Sequence, residues 1–272
     1  MSEALHFIQV GELVKGISEG TLPRADELAG SSLTLHVEDG RVVTLAFAAG
    51  GGLIWRVEEG PGEGERGQER CLITRPREGV FVVDYVSSTR AATSLTIVLD
   101  MRRQAATLVA GTLPTAAEAA QGAFALATAG AELTLVRCAI LRAAIDRPFA
   151  AEDHPHVPTS GLVGKRVQYV YSATEKYEHI YLNENLYTWQ CLEGSEKGLA
   201  DTDRCHYRSV GDELYLFVWR EKVIPTLGVV MVDWREKRSH GKLFGYESSD
   251  FGALSNTPIA SVATLLNTTT CE

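Results

Sequence analysis

Residues 33–47 read LTLHVEDGRVVTLAF, two β-rich runs on either side of Asp39-Gly40. Asp-Gly accepts the positive φ that a tight hairpin turn demands, so the stretch predicts an antiparallel hairpin. Gly50, Gly51 and Gly52 supply the next turn, ahead of a run from Leu53 to Val57. Working outward, the same reading predicts strands over 80–86, 94–101, 105–110 and 132–141. Helix is sparse, with candidates over 7–17 and 116–127. Short antiparallel strands at regular spacing predict a meandering barrel, because closure leaves no bare strand edge.

The hairpin region has a second version. Displaced by 134 residues, Leu28 and Gly30 meet Leu162 and Gly164, and Trp55 meets Trp189. Glu59-Gly60 meets Glu193-Gly194, Gly64 meets Gly198, Arg70-Cys71 meets Arg204-Cys205, and Gly111 meets Gly245. The chain has only four tryptophans and five cysteines, so a coincidence of one pair of each outweighs the short list of identities. With no gap introduced, VFVVDY (80–85) falls on LYLFVW (214–219), and LTIVLDMRRQ (95–104) falls on VVMVDWREKR (229–238). The second copy should place strands over 165–172, 177–182, 186–192, 213–220, 227–234, 241–246 and 258–266. The expected fold class is therefore all-β: two tandem antiparallel β-barrels with few short helices, divided as 1–147 and 148–272. A proline-bearing linker, 146–160, is expected to be extended.

Composition bounds the partners. The balance of 45% hydrophobic and 22% charged residues is that of a soluble globular protein. The formal net charge of −9 and the lack of a dense Lys/Arg run argue against nucleic acid as a partner. The opening MSEALHFIQVGELVKG lacks the apolar core of a secretory signal, and no run is long enough for a membrane helix. Five cysteines without a CxxC pair suggest reduced thiols and a cytoplasmic location. No metal site is expected on ligand spacing. No nucleotide or nicotinamide fingerprint is present either, so no cofactor is implied. Self-association as a homodimer stays open.

The copies have diverged unequally. Eight of nine tyrosines and three of four tryptophans follow residue 168. Leu35 becomes Tyr169, Val37 becomes Tyr171, Leu45 becomes His179 and Leu72 becomes His206. Strand alternation puts Tyr169 with Tyr171, Tyr177 with His179 and Tyr181, Tyr187 with Trp189 and Cys191, and Tyr215 with Phe217 and Trp219. Turned inward, these faces would line a pocket for a flat, partly polar small molecule. Aromatic strand faces are also simply good core, and His179 could be structural. The ligand-binding candidates are Tyr169, Tyr171, Tyr187, Trp189, Tyr215, Phe217, Trp219 and Tyr246. The catalytic candidates are His179, His206, Tyr181 and Arg220. Arg220, Glu221 and Lys222 otherwise read as a solvated loop at a barrel mouth, and Asp233 as a surface acid.

The segments FIQVGEL (7–13), YEHIYLNENLYTWQCLEG (177–194), GLADTDRCHY (198–207), LYLFVWREKVIPTLGVV (214–230) and GKLFGYESSDFG (241–252) resemble the MoaF family. That resemblance implies two lipocalin-like (calycin-type) barrels and a role around molybdenum cofactor biosynthesis, with no agreed catalytic set to transfer. Two functions follow from the residues. One is a cofactor-independent isomerase, cyclase or lyase. In it a histidine is the base, while tyrosines and Arg220 hold a developing oxyanion. The other is a binding or maturation factor that needs a pocket but no base. A structural partner protein with a filled core is the plainest alternative. The titratable groups tip the reading towards the enzyme.

Overall fold

The computed structural model describes residues 6–152 and 154–270. An N-terminal helix, α1 (Val10–Ile17), precedes nine strands: β1 (Ser32–Val37), β2 (Val42–Ala48), β3 (Gly52–Glu59), β4 (Arg66–Arg70), β5 (Leu72–Arg77), β6 (Val80–Val86), β7 (Thr93–Asp100), β8 (Ala105–Thr112) and β9 (Arg137–Ile145). Two short helices, α2 (Ala116–Ala119) and α3 (Ala123–Thr128), lie between β8 and β9. Eight more strands follow: β10 (Lys165–Val170), β11 (Lys176–Asn183), β12 (Leu186–Glu193), β13 (Ala200–Gly211), β14 (Leu214–Glu221), β15 (Thr226–Asp233), β16 (Arg238–Tyr246) and β17 (Leu254–Thr268). Among the described residues, no helix is long and apolar enough to cross a membrane.

Strands β1–β9 form one antiparallel sheet in the order β4-β3-β2-β1-β9-β8-β7-β6-β5, and β10–β17 form a closed barrel. The first sheet is nearly closed. Its end strands β4 and β5 run on from each other through Cys71, and the corresponding β13 is one continuous strand that pairs with β12 and β14. The fold class is thus all-β, two barrel-like sheets in tandem. The packing is interleaved rather than cut at one point. Residues 6–21, 113–137 and 158–270 form one compact unit, while Leu22–Thr112 and Cys138–Val157 form the other.

Strand register shows the duplication directly. Leu35 pairs Val43 as Tyr169 pairs Tyr177, and Leu45 pairs Trp55 as His179 pairs Trp189. The ungapped alignment fails beyond β6. Val83 pairs Ile97, but its counterpart Phe217 pairs Val230, so the β14–β15 turn is one residue shorter. Gly111 therefore corresponds to Phe244, not to Gly245. Asp100 then corresponds to Asp233. Both are buried, and each accepts a backbone N–H three residues on, from Arg103 and from Glu236. The next turn residues, Gln104 and Lys237, share a positive φ of 49° and 52°. Asp233 is a turn-forming buried acid, not the surface acid expected.

The strands 66–77 and 200–211 escaped the sequence reading because RGQER and ADTDRCHYRSVG lack an apolar run. Their inward positions are mixed: Glu69, Cys71 and Ile73 in one, Asp203, Cys205 and Tyr207 in the other, all buried. The expected helix over 116–127 breaks into two at Gly122, which caps α3. The expected strand over 132–141 starts later, at Arg137, and runs to Ile145.

Candidate functional site

Alternation along β10–β14 turns Val167, Tyr169, Tyr171, Tyr177, Tyr181, Tyr187, Trp189, Tyr207, Phe217 and Trp219 into the second barrel, where they form its core with Val10, Val14 and Ile17 of α1. At one end the interior is filled. Tyr169 and Tyr181 share a hydroxyl hydrogen bond of 2.6 Å, Cys205 Sγ donates to the Tyr207 hydroxyl at 2.9 Å, and Phe217 stacks on Tyr207 at 5.5 Å. At the α1 end a cavity of about 40 Å³ remains. Leu13, Ile17, Tyr171, Tyr177, His179, Tyr187, Trp189, Glu196, Trp219, Glu221, Leu243 and Ile259 line it. That space accommodates a few water molecules, so a larger organic guest must shift part of the lining, which includes Leu13 and Ile17 of α1.

Polar groups converge on this cavity. His179 is buried among five rings: Tyr169 at 4.7 Å, Tyr187 at 5.1 Å, Phe217 at 6.0 Å, and Tyr181 and Trp219 at 6.1 Å. Its Nδ1 is buried with no hydrogen-bond partner among the described residues. Removal from water brings its pKa down to about 3, so the imidazole is neutral at physiological pH. Tyr171 and Tyr187 also line the cavity; neither hydroxyl is hydrogen-bonded to another described residue, and burial pushes both phenols upward. Most buried polar groups are paired, so the unpaired His179 Nδ1 on this cavity calls for a guest that pairs it.

The carboxylates are the part that sequence reading passed over. Trp219 Nε1 donates to Glu221 Oε1 at 2.9 Å. Glu221 exposes part of its surface, but its carboxyl lies on the cavity, where desolvation and then the Asp203 charge raise its pKa well above the ordinary value. Asp203 accepts from Trp189 Nε1 at 3.0 Å and from the Lys222 amide at 3.1 Å; burial raises it too, against the pull of Lys222. Lys222 Nζ bonds Asp201 and the Thr202 carbonyl. Glu196 accepts from the Tyr177 hydroxyl at 3.1 Å and the Ile8 amide at 3.3 Å, and burial raises it as well.

The other barrel separates scaffold from site. Trp55 Nε1 donates to Glu69 at 3.3 Å, and the Ser88 amide donates to Glu69 at 2.9 Å. These are the positions of Trp189, Asp203 and Lys222, so the tryptophan–carboxylate–turn clamp belongs to the repeat. His179, Tyr171, Tyr187 and Glu221 replace Leu45, Val37, Leu53 and Ser87, and belong to the second copy alone. Comparing copies position by position was the signal for Glu221; its neighbours Arg220 and Lys222 masked it as a charged loop.

Of the candidates read from sequence, Tyr169, Tyr171, His179, Tyr181, Tyr187, Trp189, Phe217 and Trp219 meet inside the barrel. Tyr215 shares that face but sits at its margin, against Gly161. His206, Arg220 and Tyr246 do not join them. Inward neighbours Cys205, Trp219 and Gly245 put these three on the outer face by alternation. Arg220 bonds Glu132 at 2.8 Å and the Val136 carbonyl at 3.2 Å, and the Tyr246 hydroxyl donates to the Pro114 carbonyl at 2.9 Å. Burial and the nearby Arg220 charge lower the His206 pKa. These three hold or adjoin the segment 113–137 of the same unit.

Fold and site together define a duplicated β-barrel protein whose second barrel holds a polar-aromatic cavity. The chain belongs to the MoaF family. The family model for the MoaF N-terminal domain matches residues 5–115, and that for the MoaF C-terminal domain matches 156–269. Protein MoaF of Klebsiella aerogenes is 43% identical over 272 residues, spanning 98% of each chain. A solved chain from Burkholderia vietnamiensis, provisionally described as a beta-lactamase, covers 45% of this chain and 96% of its own at 12% identity. Its TM-score of 0.33 is too low to bear on fold or function.

Proposed function

We propose that the second barrel binds a small, flat, partly polar molecule at its α1 end and moves a proton on it without a cofactor. The buried, unpaired His179 Nδ1, with Tyr171, Tyr187 and Glu221 lining the same cavity, carries this reading. Glu221 is the proton-transfer group: desolvation and the Asp203 charge raise its carboxyl well above the ordinary carboxylate range, which strengthens it as a proton acceptor. His179, neutral and held by rings, serves as a hydrogen-bonding partner rather than the base, because a pKa of about 3 leaves little proton affinity. Tyr171 and Tyr187 hold an oxygen of the substrate as donors. Isomerisation, cyclisation and decarboxylation all fit this set, and Trp189 and Trp219 provide flat apolar walls.

A second reading has its own support. The small cavity and the weakly basic His179 suit a binding or maturation factor, which agrees with the family's association with molybdenum cofactor biosynthesis. Incubating the protein with a bacterial small-molecule extract and comparing mass spectra separates the two. The enzyme consumes one feature and yields another of equal mass, or of mass lower by carbon dioxide or water, and Glu221→Gln does not. Stoichiometric retention of a compound with no conversion would replace the enzyme reading by the binding one.

A further inference from the structure

The first barrel has a cavity of its own, of about 60 Å³, and it lies where the second barrel has its site. Five lining positions coincide: Val43 with Tyr177, Leu45 with His179, Trp55 with Trp189, Tyr85 with Trp219, and Ser87 with Glu221. The strand pairings cited above fix the equivalence of Val43, Leu45 and Trp55. The duplication has therefore kept a recess in both copies and changed its chemistry in one.

The change is systematic. Tyrosine, histidine and glutamate in the second recess are valine, leucine and serine in the first. The remaining wall is aliphatic, from Leu35, Val57, Leu95, Ile97 and Leu108. A barrel kept only as support would gain dispersion contacts by filling such a space with larger side chains. One polar group faces it unpaired: the Tyr85 hydroxyl has no hydrogen-bond partner among the described residues, and burial raises that phenol strongly. Arg41 and Arg90 stand at the rim, but Arg41 is bonded to Asp39 at 2.9 Å and Arg90 to Glu65 at 2.9 Å. The rim thus carries balanced charge and offers an anion no unpaired cation.

We infer that the first barrel is a second binding site, for an uncharged small molecule with a compact hydrocarbon body and one hydroxyl or carbonyl that reaches Tyr85. The apolar wall gives affinity, and the phenol sets orientation. This site is independent of the proton-transfer site in the second barrel.

The test uses the full chain and phenol as probe, read by methyl NMR. Saturable shifts are expected at Val43, Leu45, Val57 and Leu108. Leu45→Trp, which fills the recess, should weaken binding at least tenfold, and Leu45→Ala, which enlarges it, should tighten it. Benzoate should bind no better than phenol. Shifts confined to Leu13, Ile17, Leu243 and Ile259, or no shifts at all, would overturn the site while leaving the second-barrel reading untouched. Affinity unchanged in both Leu45 variants would overturn it too. Benzoate binding tenfold tighter than phenol would overturn the uncharged class.

Discussion

Replacing His179 by leucine restores the residue of the first barrel and should make the protein more stable. The imidazole is buried, and its Nδ1 has no partner. Leaving such a group unpaired costs about 1–3 kcal/mol. Against this, the ring contacts, closest to Tyr169 at 4.7 Å, are worth about 0.5–1.5 kcal/mol. The net expectation at pH 7 is a gain of about 1 kcal/mol. The pH dependence isolates the cause. The folded pKa of about 3 lies below the ordinary 6.5, so the unfolded chain takes up the proton first. Wild-type stability therefore falls as pH drops through 6.5 and stops falling near 3, at about 1.4 kcal/mol per pH unit in between. At pH 5 the variant should lead by about 2 kcal/mol more than at pH 7. Urea unfolding at both pH values measures it, with the wild type correcting for every other titrating group. A variant that is less stable, or a lead that does not grow in acid, would refute a neutral, unpaired His179.

Glu221→Gln should raise the melting temperature, by an amount that grows from pH 5 to pH 8. A carboxyl whose folded pKa is raised loses stability as pH climbs above its unfolded value, and glutamine removes that loss. Differential scanning fluorimetry at the two pH values checks this. Trp55→Phe and Trp189→Phe should each cost about 1–3 kcal/mol in urea unfolding, since each removes a donor from a buried carboxylate in the same repeated clamp. Gly228→Ala should disturb the cavity wall, because a Cβ there would lie 2.1 Å from the Trp219 ring. Tryptophan fluorescence should report the displaced indole. Arg220→Met should speed hydrogen exchange across 113–137 and leave the barrel interior intact, because Arg220 bonds Glu132 and the Val136 carbonyl.

The hairpin at Asp39-Gly40 and the repeat were legible because turn chemistry and alternation are local signals. Trp55 and Trp189 fall at the same register position in their barrels, so rare residues marked true equivalents. The shortened β14–β15 turn was invisible: one missing residue in a charged turn changes no local pattern, and only strand pairing exposes it. Alternation grouped the aromatic faces correctly but could not say which face of β13 or β16 turned inward. His206 and Tyr246 were therefore chosen from the wrong side. Glu221 and Asp203 were missed for a physical reason. Their significance lies in desolvation beside Trp219 and Trp189, and a sequence gives the residue type without its burial.

The most direct test of a guest-binding second barrel is a crystal structure of the protein as purified, read around Tyr171, Tyr187, His179 and Glu221. The account predicts an organic molecule hydrogen-bonded to at least one of the two tyrosine hydroxyls or to Glu221, with Leu13 and Ile17 moved aside to admit it. Ordered water alone pairing these groups beneath a fully seated α1, in the protein as purified and after soaking in the small-molecule extract, would contradict it.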